Sequence, residues 1–195
     1  QVPAIAEVEY VDGTTERYFI PMTLVHAAAP ATVRPGNGTI ARGAGFAAID
    51  AMGDDGACRT WLANMIGERP VETRFGSMRP TAYRRDPEPP VLRISRSVGE
   101  QSNTSIKFED RYVLKFLRRL ESGPHPELEM SKYLAGRGFI RVPPLVASLE
   151  YEQPGAEPTS LAMLQAFVPN QGTAWDPAVA HARAFLNDKL DAAVE

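Results

Sequence analysis

Lys115 stands in the middle of Tyr112-Val113-Leu114-Lys115-Phe116-Leu117, the most apolar strand-like stretch of the chain. At a period of two it shares a face with Val113 and Leu117, so its methylene stem lies along apolar surface. An ammonium in that company is costly to bury unless an anion meets it. The chemistry on offer is the gripping of a carboxylate or a phosphate. Position alone equally allows an edge-strand lysine that discourages aggregation. A carboxylate follows at a suitable remove, in Pro126-Glu127-Leu128-Glu129-Met130-Ser131-Lys132-Tyr133-Leu134. Residues 127, 130 and 134 fall on one helical face, and Met130 and Leu134 are apolar, so Glu127 is expected to point at a sheet. Glu129 shares the outer side with Lys132 and Tyr133 and is the reserve candidate. Glutamates in a first helical turn also arise from the helix dipole alone.

The elements that would hold these two residues come from the order of patterns over residues 91–168. Val91 to Ser95 is a short strand, followed by a polar loop from Ser97 to Asn103. Thr104 to Phe108 and Tyr112 to Leu117 are two more strands. A helix follows, with Pro126 in its first turn and Gly136 and Gly138 ending it. Leu145 to Tyr151 and Leu161 to Val168 form a last strand pair around Gln153-Pro154-Gly155. Five antiparallel strands with one helix after the third is the layout of a protein-kinase N-lobe, where a strand lysine holds nucleotide phosphates and a helix glutamate orients it. The loop has one glycine, Gly99, so it is not the glycine-rich loop of eukaryotic protein kinases. Ser102, Asn103, Thr104 and Ser105 still offer hydroxyl and backbone N–H donors to phosphate oxygens, as a plain polar hairpin also would.

Upstream, Ala6 to Tyr10 and Thr15 to Ile20 alternate about an Asp12-Gly13 turn and read as a hairpin. Residues 27–45 hold no clear period. Asp54 or Asp55 caps a helix with apolar positions Ala57, Cys58, Trp61, Leu62, Met65 and Ile66. Cys58 in that pattern is a buried packing residue rather than a reactive thiol. Arg79 to Pro90, rich in proline and alternating charge, reads as a boundary linker. Asp176-Pro177 opens a helix running to the last residue. The fold class expected is α+β. Residues 1–90 would form an N-terminal cap subdomain, a small antiparallel sheet plus helix, with its linker; 91–170 a kinase-like N-lobe; and 171–195 a linker with the first helix of a C-lobe.

Several runs of the sequence resemble one family. Glu100-Gln101-Ser102-Asn103-Thr104-Ser105, Val113 to Leu120, Gly123-Pro124-His125-Pro126-Glu127-Leu128-Glu129, Val142-Pro143-Pro144-Leu145 and Gln165 to Gly172 look like the bacterial maltokinases and actinobacterial glucosamine kinases, which are aminoglycoside-phosphotransferase-like kinases. Val8 to Tyr18 is similar to their N-terminal cap. The resemblance implies ATP as cofactor and a sugar as substrate. It implies that Lys115 holds the α- and β-phosphates, Glu127 orients Lys115, and Ser102 and Asn103 lie at the phosphate loop. Backbone groups around Gln165 and Phe167 would pair with the adenine edge. The sugar, maltose or glucosamine, stays open.

Phosphoryl transfer also needs a base or orienting Asp and ligands for Mg²⁺. In this family both lie in the C-lobe, on a His-x-Asp loop and an Asp-containing metal motif. None of His26, His125 and His181 begins a His-x-Asp triplet. No catalytic residue and no metal ligand is therefore assigned within these residues, and the chain alone is not expected to turn over. The alternative is a stand-alone, non-catalytic cap and N-lobe that binds nucleotide or a partner, as a dimer or heteromer. A third reading is a small α+β fold in which Lys115 and Glu127 form only a structural pair.

Bulk composition sets the outer bounds. The chain has 195 residues, 44% hydrophobic and 23% charged, with a net charge of −3. Residues 91–140 are the net-positive stretch, with 9 Lys/Arg against 6 Asp/Glu. Nothing points to nucleic acid or a membrane surface. Cys58 is the lone cysteine, so no intrachain disulfide forms. A cytoplasmic protein without signal peptide is the expectation.

Overall fold

An Asp12-Gly13 turn starts the structure because both residues suit it: Gly13 takes a φ of 82°, and the Asp12 carboxylate accepts from the Thr14 N–H at 2.9 Å. The computed structural model describes residues 2–26, 39–84, 92–96, 103–170, 172 and 175–194, with side chains of the last helix described to residue 188. The turn joins β1 (Val2–Glu9) to β2 (Thr15–His26); β3 (Thr39–Gly43) and β4 (Phe46–Asp50) follow, then a 3-10 turn (Ala51–Gly53) and α1 (Asp55–Ile66). Next come β5 (Val71–Glu72), β6 (Ser77–Ala82), β7 (Ile94–Arg96), β8 (Asn103–Phe108), β9 (Tyr112–Leu117) and β10 (Arg119–Leu120). The chain continues through α2 (Pro126–Gly136), β11 (Leu145–Glu152), β12 (Thr159–Ala166) and α3 (Trp175–Val194).

Two antiparallel sheets form. One has the order β1-β2-β4-β3, with β10 also pairing β2; the other runs β5-β6-β11-β12-β9-β8-β7. The five strands expected from residues 91–168 are contiguous in the second sheet, which is seven-stranded because β5 and β6 extend it beyond β11. The linker expected from Arg79 is therefore corrected: Arg79 to Ala82 belong to β6 and pair with β11. Pro80 is tolerated there for a geometric reason. Tyr83 donates its N–H to Val146 O, so in a regular strand the N position of Pro80 faces the opposite edge, where β5 has already ended. The stretch 27–45 lacked a legible period, yet β3 lies within it and β4 follows at once; residues 27–38 lie outside the described residues.

α1 forms as its cap and spacing predict. Asp54 is the N-cap and accepts from the Ala57 N–H at 2.6 Å, and Ala57, Cys58, Trp61, Leu62 and Met65 are buried. That face meets the back of the seven-stranded sheet, the side carrying Leu114, Phe116 and Leu164. Trp61, Phe19 of β2 and Phe116 of β9 form an aromatic trio with centroids 5.8 to 6.3 Å apart. One continuous core thus backs the strand that carries Lys115.

Candidate functional site

Lys115 lies on β9, between β12 and β8, so it is an interior-strand residue and the edge-guard reading falls. Strand register decides what shares its face. Ser105 and Met163 are its direct partners, Lys107 and Gln165 are those of Val113, and Asn103 is that of Leu117. Directly paired residues project to one side of a sheet. Asn103, Ser105, Lys107, Val113, Lys115, Met163 and Gln165 therefore make one surface, opposite the α1-packed core. Tyr112, Leu114 and Phe116 point the other way and are buried, while Val113 and Lys115 stay half-buried.

α2 covers part of this surface. His125 is its N-cap and Pro126 fills the first helical position, where a missing N–H matters least. His125 is itself tied to β12, donating its N–H to Ser160 Oγ at 3.0 Å. Lys115 Nζ donates to Glu127 Oε1 across the gap between β9 and α2, with the two side chains 28% and 38% exposed. The pair is thus reachable from solvent. Glu129 is exposed, as expected of the outer side.

The helical face is rotated from the one expected. Met130 is 57% exposed, and Leu128 is the fully buried residue of α2, packed with Leu145 and Met163. The expectation counted Met130 and Leu134 as the apolar face, but the sheet offers only a small apolar seat. One leucine fills it, and charged residues occupy its margins. Glu127 is held by Lys115 rather than by an apolar stripe. The pair was legible; its packing argument was not.

The remaining candidates divide. Asn103 begins β8, opposite Leu117 on the Lys115 face. Ser102 lies outside the described residues. Gln165 is buried, with its backbone in the ladders to Val113 and Leu145. Phe167 donates its N–H to Arg111 O at 2.9 Å, so that donor is spent within the sheet. Lys107 was not singled out from sequence, yet its Nζ sits 3.8 Å from the Phe167 ring centroid and 2.8 Å from Asp110 Oδ1. The available signal was its period-two spacing from Ser105.

A depression of about 500 Å³ lined by Arg93, Ser95, Lys107, Glu109 and Asp110 opens at the β7–β8 end of this surface. A larger one, about 680 Å³, lies at the opposite edge between the β5–β6 turn and the end of β11, away from Lys115. The smaller is the one relevant here, because it adjoins the cationic face. Among the described residues, no three His, Cys, Asp or Glu side chains cluster as a metal site. Among the same residues no helix is long and apolar enough to cross a membrane.

The architecture is a mixed α+β fold consistent with a kinase-like N-lobe. No protein-family model matches the chain. Among solved structures, a glucosamine kinase in complex with glucosamine, ADP and inorganic phosphate superposes with a TM-score of 0.55 at 22% identity, over 91% of this chain and 36% of that one. A second glucosamine kinase structure, crystal form A, gives 0.52 at 22% identity, over 96% and 37%. Similarity at that level is a likeness of fold. The chain spans little more than a third of the length of these kinases.

Proposed function

We propose that this chain is the nucleotide-gripping, N-terminal portion of an ATP-dependent sugar kinase of the maltokinase or glucosamine-kinase kind. The observation that carries the reading is the Lys115–Glu127 contact, made beside α2 on the partly covered face of an interior strand whose other face is solid core. An ammonium held by a carboxylate and still reachable from solvent suits the non-bridging oxygens of a nucleotide phosphate. The fit extends to the donors beside it: Asn103 and Ser105 lie on the same face, and Lys107 adds a second cation.

In this reading Lys115 binds the α- and β-phosphates and Glu127 fixes its direction. Ser102 and Asn103 flank the phosphates, and backbone groups around Gln165 and Phe167 meet the adenine edge. Bound Mg²⁺ would supply charge neutralisation for transfer, with its ligands, the catalytic Asp and most of the sugar pocket contributed from outside these residues. Residues 1–66 act as the cap, β5 and β6 join residues 91–170 in the nucleotide-binding lobe, and 171–195 lead into the rest of the kinase.

ATP titration of the 195-residue chain and of Lys115→Met tests the assignment. Loss of one charge-assisted contact to phosphate weakens binding by about 10- to 100-fold. Equal affinity in both proteins, or no binding by the wild type, overturns it. Sugar phosphorylation by the purified chain alone would overturn the division of labour.

A further inference from the structure

α2 sits on the sheet with one fully buried side chain, and two ion pairs flank that seat. Leu128 is its one fully buried side chain, seated on Leu145 of β11 and Met163 of β12. At 100° per residue, Glu127 and Lys132 stand on opposite margins of the arc centred near Leu128. Each margin reaches a different strand. Glu127 meets Lys115 on β9, and Lys132 Nζ meets both carboxylate oxygens of Glu150 on β11, at 3.2 Å each. β9 and β11 flank β12 on its two sides, so the two ion pairs act as outriggers about the Leu128 seat.

The two pairs have opposite polarity, glutamate on the helix at one margin and lysine at the other. Rolling α2 about its axis stretches one pair as it compresses the other. Lys132 also lies against Tyr83. Lys132 Nζ lies 5.8 Å from the Tyr83 ring centroid, and the Tyr83 hydroxyl is 2.9 Å from the buried Ser148 Oγ on β11. The Lys132 and Glu150 side chains are 33% and 20% exposed, enough shielding for the pair to exceed an open surface contact.

We infer that Lys132 is a positioning residue: through Glu150 it sets the roll of α2, and so holds Glu127 against Lys115. The inference rests on the nucleotide reading for its effect on ligand, but its effect on the helix is independent of any ligand. It also accounts for a feature the helical pattern does not explain, a lysine on the sheet-facing side of α2.

The test takes the 195-residue chain as wild type and as Lys132→Met, Lys132→Glu, Lys132→Arg and the reversed pair Lys132→Glu/Glu150→Lys. ATP affinity is measured by titration, and amide exchange over residues 129–136 is followed without nucleotide. Lys132→Met and Lys132→Glu should weaken ATP about fivefold, while Lys132→Arg and the reversed pair stay within about twofold of wild type. Exchange in α2 should quicken in the first two and recover in the reversed pair. The proposal is overturned if Lys132→Glu leaves both readouts unchanged. It is equally overturned if the reversed pair melts like wild type yet recovers neither. Should Lys115→Met leave ATP affinity unchanged, the nucleotide reading fails, and α2 exchange with its recovery in the reversed pair alone decides the role of Lys132.

Discussion

At the residue scale, charge partners rather than residue types separate Glu127 from Glu129. Both sit in the first turn of α2, but Glu127 receives Lys115 while Glu129 is exposed. Glu127→Gln keeps the shape and removes the charge that directs Lys115, and should weaken ATP about tenfold; Glu129→Gln should stay within about twofold. Isothermal titration of the two variants checks this, and the opposite ranking would reassign the partner. Cys58 offers a different prediction. Its thiol is fully buried in α1, and burial pushes it up from the ordinary 9.0 to about 11, with Arg96 opposing. The folded state then holds that proton while the unfolded chain releases it, so stability is present below pH 9 and falls as pH rises toward 11. Cys58→Ala should flatten the alkaline decline in that window, measured by denaturant melts at a series of pH values. A thiol reagent at pH 8 should label Cys58 only on unfolding.

At the element scale, sequence patterns located most strands and helices but misjudged two stretches for identifiable reasons. β8, β9, β11, β12 and α1 stand within a few residues of their expected ranges, because each carries a long apolar period or a clear cap. β6 was hidden by Pro80, whose N position faces away from β11 and beyond the end of β5, so that sequence saw a breaker where no ladder bond is needed. β3 is exposed at every residue, so it has no alternation to betray it. The Lys115–Glu127 pair was legible because strand and helix positions are local. Lys132–Glu150 was not, because its meaning depends on where β11 comes to lie. For α2 the apolar pattern suggested Met130 and the sheet selected Leu128. The two should therefore differ sharply on truncation. Leu128→Ala should cost about 2–4 kcal/mol, while Met130→Ala stays within about 0.5 kcal/mol. Urea melts monitored by circular dichroism give both values, and a large Met130 effect would refute the observed rotation of the helix.

At the scale of the whole molecule, the Lys115 face is supported from behind by residues that precede it in the chain. The main core unites Phe19, Trp61 and Met65 with Ile106, Leu114, Phe116 and Leu164, on both sides of residue 90. Two guanidinium groups reinforce the join at either end of the 3-10 turn. Arg118, next to β9, bonds Asp50 at 2.6 Å and Thr104 Oγ1 at 2.8 Å. Arg96, on β7, bonds Asp55 at 2.7 Å and Met52 O at 2.6 Å. Hydrophobic contact and paired charge thus span the same boundary. The chain should melt in a single transition, with coincident far- and near-ultraviolet signals. Phe116→Ala, which empties the middle of the aromatic trio, should lower stability by about 3–5 kcal/mol and shift both signals together. The segment 91–170 expressed alone would expose the back faces of β8, β9 and β12 to water and should not fold, as judged by its near-ultraviolet spectrum and amide exchange. Two separated transitions, or a cooperatively folded 91–170 fragment, would show that the shared core is dispensable.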